Sequence, residues 1–306
     1  MASANNAPRI LQSAFANRMA DNAPKGYAGR IGKVVLCPGV ASYRVGSAAV
    51  GGEGSTLTGT ATSASNSDWF SFESSFSTVK KYVKSVVPAH TMASDYALAD
   101  AGGQLADTAQ GILDSGFVAG LEGLFAVAHP RVGTGAGQVG AGKYYLDTGL
   151  KGLSGESGEF TQDNLITSAL AEASLNTAIK LMLQYRHDRG FSLGCGANGG
   201  MVLTVGAKNA QVAHELVRSQ LSGNDMASNF VNGLITDIVV LPKMTDDDDW
   251  YLIDKAKSPI GLAISTEPTC RISYTTDGLF CELVAEVEYT FWKAPYEGGI
   301  IGANIA

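Results

Sequence analysis

A chain of 306 residues is long enough for one large domain or two ordinary ones, and with 45% apolar against only 17% charged side chains it must hide much of its surface, contacts between subunits being one means. A net charge of −7 and a pI near 5.1 argue against a general polyanion binder, because grip on a phosphate backbone scales with the lysine and arginine contacts made. No run of 18 apolar residues offers a membrane span, and Cys37, Cys195, Cys270 and Cys281 show no C-x-x-C spacing, so reduced thiols acting as small apolar side chains in a cytoplasm are expected.

The first element expected is a short amphipathic helix. Between Pro8 and Met19 the apolar residues Ile10, Leu11, Phe15 and Met19 share one face, Pro8 suits a first turn and Pro24 closes the segment. A transit peptide would also be amphipathic and poor in acids, but with only two arginines before Asp21 a helix docking on another surface is the better reading.

Residues 31–88 read as extended structure. VVLCPGV, a Gly, Ser and Thr-rich tract from Gly46 to Ser67, DWFSFESSF with Trp69 and Phe70, and KKYVKSVVP predict long exposed β arms joined by a flexible stretch. Lys80, Lys81 and Lys84, with Tyr82, form the main basic cluster. Three lysines suit weak, salt-sensitive contact with nucleic acid or, equally well, an acidic neighbour.

The period then becomes helical. Leu98, Ala101, Leu105, Ala109 and Ile112 predict a helix over Thr91–Ser115, capped by Ser94 or Thr91 and ended by Gly116. Gly102, Gly103 and Gly111 each cost about 1 kcal/mol relative to Ala there, so packing or close approach must hold them. A second helix is expected from Gln162 to His187, with Thr161 as cap and Gly190 beyond its end. Its apolar positions form two bands, Ile166, Leu170 and Ala173, and Leu175, Ile179 and Met182, which implies two neighbours. After it come strand MVLTV (201–205), helix AQVAHELVRSQ (210–220) and strands DIVVLP and WYLID. The run from Cys281 to Phe291 places Cys281, Leu283, Ala285, Val287, Tyr289 and Phe291 on one face and Glu282, Glu286 and Glu288 on the other, fed by an Asp277-Gly278 turn.

Three motifs invite chemical readings. GTGAGQVGAGKYY (133–145) holds both G-x-G-x-x-G, at Gly135, Gly137 and Gly140, and G-x-x-x-x-G-K, at Gly137, Gly142 and Lys143. A phosphate loop needs a following helix to aim amides at the anion and a hydroxyl after the lysine; here Tyr144 takes that place and KYYLDTGLKGL shows no helical stripe. A surface loop is expected instead, with no cofactor. Asp246, Asp247, Asp248 and Asp249 lack the alternation and central Gly of a calcium loop and read as a solvated turn, able to meet a basic surface on another subunit. The histidines include no metal-ligating pair; His187-Asp188-Arg189 suits a helix C-terminus, and no G-x-S-x-G supports a hydrolase. No catalytic or metal residue is therefore expected.

Taken in order, GFVAGLEGLFAVAHP (116–130), the variable Gly-rich stretch, the segment ending HDRGFSLG, MVLTVGAKNAQVAHELVRSQ and GLITDIVVLPKMTDDDDWYLID resemble the Mu-like phage major head subunit family over roughly residues 90–295. The resemblance implies an α+β subunit of the Hong Kong 97-type capsid fold. Its parts would be an N-terminal arm (1–30), an E-loop hairpin with flanking strands (31–88), a peripheral domain with spine helix and variable loop (89–190), an axial domain (191–258) and terminal strands returning to the peripheral domain's long sheet (259–306). It further implies a structural protein, not an enzyme, that self-assembles into pentamers and hexamers of a virion head in the host cytoplasm. Portal, scaffold and cement proteins would be partners, with double-stranded DNA enclosed but not read, and no membrane contacted. The candidate inter-subunit contacts are then Ile10, Leu11, Phe15, Met19, Trp69, Phe70, the three lysines and the four aspartates. Two alternatives are a non-viral nanocompartment shell of the same fold and a nucleotide-binding enzyme using the 133–143 glycine loop.

Overall fold

The computed structural model describes residues 6–37, 42–50, 69–133, 138–151, 161–186, 192–218, 221–222, 227–228, 231–294 and 297–304. In chain order the elements are helices α1 (Ala7–Asn22) and α2 (Tyr27–Ile31), strands β1 (Lys33–Leu36), β2 (Ser42–Val50), β3 (Trp69–Ser77) and β4 (Val79–Pro88), and the long helix α3 (Asp95–Glu122). Then follow β5 (Leu150–Lys151), β6 (Thr161–Gln162), β7 (Leu165–Ile166), α4 (Glu172–Gln184), β8 (Met201–Gly206), α5 (Ala210–Arg218), β9 (Leu221–Ser222), β10 (Ala227–Ser228) and α6 (Val231–Leu234). The chain closes with β11 (Ile235–Leu241), β12 (Trp250–Asp254), β13 (Ile260–Tyr274), β14 (Phe280–Lys293) and β15 (Ile300–Ala303). β2 and β3 pair with each other in a two-stranded sheet.

The chain divides into two compact units, the first comprising residues 1–43, 76–118 and 261–292. Its sheet has the order β1-β13-β14-β4, with β1 parallel to β13 and β14 antiparallel to β4, Tyr289 opposite Val79 and Phe280 opposite Pro88. The period-two pattern of β14 holds: Cys281, Leu283, Ala285, Val287 and Tyr289 are buried while Glu282, Glu286 and Glu288 are half-exposed. Helix α3 packs on the buried face, Phe117 meeting Phe291 edge to face at 5.6 Å.

Gly116 does not end α3, as the periodicity predicts, but lies within it. A Cβ there would fall 2.2 Å from the Tyr289 ring, so the glycine serves close approach to the sheet and the helix continues to Glu122. Gly102 likewise admits α1, whose Leu11 carbonyl would lie 2.6 Å from an added Cβ; Gly103 meets nothing within 4 Å.

The second unit comprises residues 44–75, 119–260 and 293–306. Its five-stranded sheet has the order β11-β8-β12-β15-β7. Every residue of β8 and β12 is buried, as a strand covered on both faces requires. One face, with Met201, Leu203, Val205, Trp250 and Leu252, joins Ile179 and Met182 of α4 and Ala213 and Val217 of α5 in one core. On the other, Tyr251 stacks on Phe125 at 5.4 Å, and Gly302 leaves room for Phe125 and Leu146.

The second expected helix is shorter than its periodicity implies. Thr161–Gln162 pairs with Leu150–Lys151, and Leu165–Ile166 runs parallel to β15, so α4 starts only at Glu172, where Ser174 accepts the Ala171 N–H at 2.9 Å. Ile166 and Leu170 are buried in the same core as α4, from a strand and a turn rather than a helical band. The helix ends at Gln184, and His187-Asp188-Arg189 lies outside the described residues.

Candidate assembly surfaces

Residues 138–145 of the glycine stretch run antiparallel to residues 127–133, with bridges between Ala128 and Tyr144 and between Gly133 and Gly140. His129 N–H donates to Lys143 O and Tyr145 N–H to Val127 O, both at 3.0 Å, while Gly140 and Gly142 take φ of 120° and 68°, conformations that side chains resist. Lys143 folds its ammonium onto the Thr148 carbonyl and lies 3.4 Å from Asp147, and no helix starts among the described residues 138–151. Residues 134–137, including Gly135 and Gly137, lie outside the description. Among the described residues, no group of three or more His, Cys, Asp or Glu could hold a metal, and no helix is long and apolar enough to cross a membrane.

The basic cluster finds its acidic neighbour within the subunit. Lys80 pairs with Glu286, and Lys84 with Glu282 at 2.7 Å, across the β4–β14 register. Hydrogen bonding to Glu286 raises the Lys80 pKa. Lys81, opposite Val287, is exposed on the other face of the strand.

Helix α1 docks on its own chain. Ala7, Leu11 and Phe15 are buried, at 3%, 0% and 2% exposure, while Ile10 and Met19 are only half-buried. Arg18 grips both oxygens of Asp107 at 2.8 and 3.1 Å, and Asn22 adds a bond at 2.7 Å, holding the Asp107 carboxyl below its usual range. Leu11 and Phe15 thus belong to the subunit core rather than to a neighbour, a correction with a plain cause: a helix with one buried stripe uses the nearest apolar surface, here α3. Trp69 and Phe70 fall on β3, their side chains outside the described residues.

The aspartate turn is packed rather than merely solvated. Glu122 accepts from the Thr245 and Asp246 amides, Lys208 pairs with Asp248 at 2.6 Å, and the Asn209 amide donates to the Asp248 carbonyl at 2.9 Å. Asp249 is buried at 4% exposure. The turn lies against Gly206, where a Cβ would come within 2.4 Å of Asp247 Cα; Asp246, Asp247 and Asp248 remain exposed or half-exposed.

Sequence reasoning missed a buried ionic node. Glu297 meets His129 Nε2 at 2.9 Å, Arg131 Nη2 at 2.8 Å and the Tyr185 hydroxyl at 2.7 Å, with all the ionic side chains 2% exposed or less. His129 Nδ1 accepts the Arg131 N–H at 3.0 Å, which leaves Nε2 to donate to Glu297. Burial alone would raise the Glu297 pKa, but the Arg131 charge and the His129 ring outweigh it and hold the carboxyl well below its usual range. Nearby, Lys293 reaches the Ala128 carbonyl at 3.3 Å and lies 5.4 Å above the Tyr145 ring; burial pushes its pKa down to about 8. In the sequence His129 stands only within the GFVAGLEGLFAVAHP run, and its partner stands 168 residues away.

No protein-family model and no curated protein matches the chain. Solved structures do. The chain is similar to one from a virus-like particle of Pyrococcus furiosus (10% identity, covering 97% of this chain and 99% of that one, TM-score 0.51). It is similar also to a chain of Microbacterium phage Oxtober96 (10%, 92% and 91%, 0.52) and to one from the mature capsid of bacteriophage PhiM1 (11%, 92% and 87%, 0.54). The fold is the Hong Kong 97-type capsid fold, over nearly the whole chain; the Mu-like relation rests on the sequence resemblance alone.

Proposed function

We propose that this chain is the major capsid protein of a tailed phage, self-assembling into an icosahedral head that encloses double-stranded DNA. The carrying observation is the likeness in fold, across about nine-tenths of the chain, to subunits of a capsid and a virus-like particle. The layout supports it independently: the paired strands β2 and β3 suit the E-loop of residues 31–88, and the 28-residue α3 suits the spine helix. In this reading residues 1–30 are the arm, 89–190 and 259–306 the peripheral domain, and 191–258 the axial domain. The contacts between copies come from the hairpin, Ile10, Met19, Lys81 and the exposed aspartates of the 246–248 turn. Pentamers and hexamers form in the host cytoplasm and pass into the virion, with portal, scaffold and cement proteins as further partners. No catalytic residue is involved. Electron microscopy of the purified protein tests this: capsomers or closed particles are expected, and monomers under every assembly condition would overturn it.

The likeness to a virus-like particle chain over 97% of the sequence favours one second reading, a nanocompartment shell. Purified particles carrying an enzyme cargo and no DNA genome would select it.

A further inference from the structure

The stretch SLGCGANGG (192–200) leads into β8 through turns and bends, with Gly194, Gly196, Gly199 and Gly200 at φ of 59°, 68°, 74° and 89°. Its middle is anchored: Gly196 N–H donates to Asp254 Oδ2 at 2.7 Å, and Asp254, 2% exposed, also accepts the Ala256 N–H at 2.9 Å. Asn198, just beyond, is exposed, and its amide side chain has no partner among the described residues. It is followed by Gly199, whose nitrogen no side chain shields and whose N–H makes a turn bond to Gly196 O at 3.1 Å. The chain's other Asn-Gly pair, Asn232-Gly233, is a close neighbour, since a Cβ at Gly199 would stand 3.3 Å from the Gly233 carbonyl oxygen; but that pair belongs to helix α6.

Asparagine is thermolabile because its amide carbon is open to attack by the backbone nitrogen of the next residue. The attack forms a bond from Cγ to that nitrogen and closes a cyclic imide, while the side-chain nitrogen leaves as ammonia with the backbone proton. Water then opens the ring to aspartate or isoaspartate. The reaction needs a free amide side chain, a following residue with no side chain to obstruct approach, and a backbone able to turn the two groups together. Asn198-Gly199 has the first two outright, and only a turn, with no helix or strand, restrains the third. In α6 the helical backbone keeps the Gly233 nitrogen away from the preceding side chain.

We propose that Asn198 is a site of spontaneous modification, closing on the Gly199 nitrogen to a succinimide and opening to aspartate and isoaspartate. Each conversion adds one negative charge to a chain whose net charge is already −7. The isoaspartate form also lengthens the main chain by one carbon, close to the Gly196 anchor on Asp254 and directly before β8. Subunits thus acquire a charge that grows with age, whatever assembly they enter.

The test incubates folded wild type and Asn198→Gln at mildly alkaline pH until urea-unfolded wild type, kept alongside, has converted at its Asn-Gly pairs. Isoelectric focusing reads the added charge, and peptide mass spectrometry locates it. In the folded wild type Asn198 is expected to convert at least tenfold faster than Asn232, because α6 must first open. Higher pH should speed the conversion, since the attacking nitrogen has to shed its proton. Asn198→Gln, whose longer side chain would need a larger ring, should lack the new acidic band. An Asn198 that stays intact in the folded chain, or an Asn232 that keeps pace with it, overturns the proposal.

Discussion

Gly116 of α3 lies against the ring of Tyr289 on β14, so closely that a Cβ would stand 2.2 Å from a ring carbon. The helix keeps a poor helix former at that position because the sheet occupies the space a side chain would need. Gly116→Val should therefore destabilise the first unit by about 1–3 kcal/mol through overpacking. Gly103→Ala, in open space, should stabilise it by up to about 1 kcal/mol. Urea unfolding of both variants checks the contrast, and equal effects at the two glycines would refute it.

Removing Glu297 leaves Arg131 and His129 buried without their shared acceptor. Glu297→Ala is expected to cost about 3–5 kcal/mol, the range for breaking one side of a buried pair. Adding Arg131→Met should recover part of that loss, since an apolar replacement of both partners is far cheaper. A double variant less stable than the sum of the two single changes would contradict the node as described.

Lys293 predicts an alkaline signature. Its folded pKa of about 8 lies below the ordinary lysine value of about 10.4, so between those pH values the unfolded chain holds a proton that the folded chain has released. Its contribution thus makes stability rise with pH across that window, by up to about 3 kcal/mol. Lys293→Met should be more stable than wild type at pH 7 and converge on it near pH 10. Denaturation midpoints of the two proteins at several pH values measure the difference, and parallel curves would rule the assignment out.

Helix α1 behaves as core. Phe15→Ala should lower the stability of the free subunit by about 3–5 kcal/mol, as deletion of a buried aromatic does. Deleting residues 1–24 then damages the subunit itself as well as any shell. A Phe15→Ala subunit as stable as wild type, with assembly alone impaired, would instead give α1 a purely inter-subunit role.

Much of the fold is legible in the chain. Alternation in Cys281–Tyr289, the apolar runs of β8 and β12 and the three-and-four spacing of Leu98 to Ala109 each report a local periodicity that burial then obeys. The missing helix after Lys143 and the tyrosine beside it likewise weigh against the phosphate-loop reading from residues alone. The 162–187 segment misleads because Ile166 and Leu170 carry a spacing compatible with a helix, while β15, far along the chain, supplies Gly302 and Ala303 to pair with Leu165 and Ile166.

The sequence by itself determined the periods: which stretches alternate, which wind, and where glycines and prolines interrupt them, because those properties depend on neighbours within a few residues. Only tertiary structure decided which partner each surface meets. Lys80 finds Glu286, Leu11 and Phe15 enter the core of their own subunit, and His129 and Arg131 turn inward to Glu297. Those choices depend on groups far apart in the chain, brought together by burial and Coulombic pairing that no local pattern records.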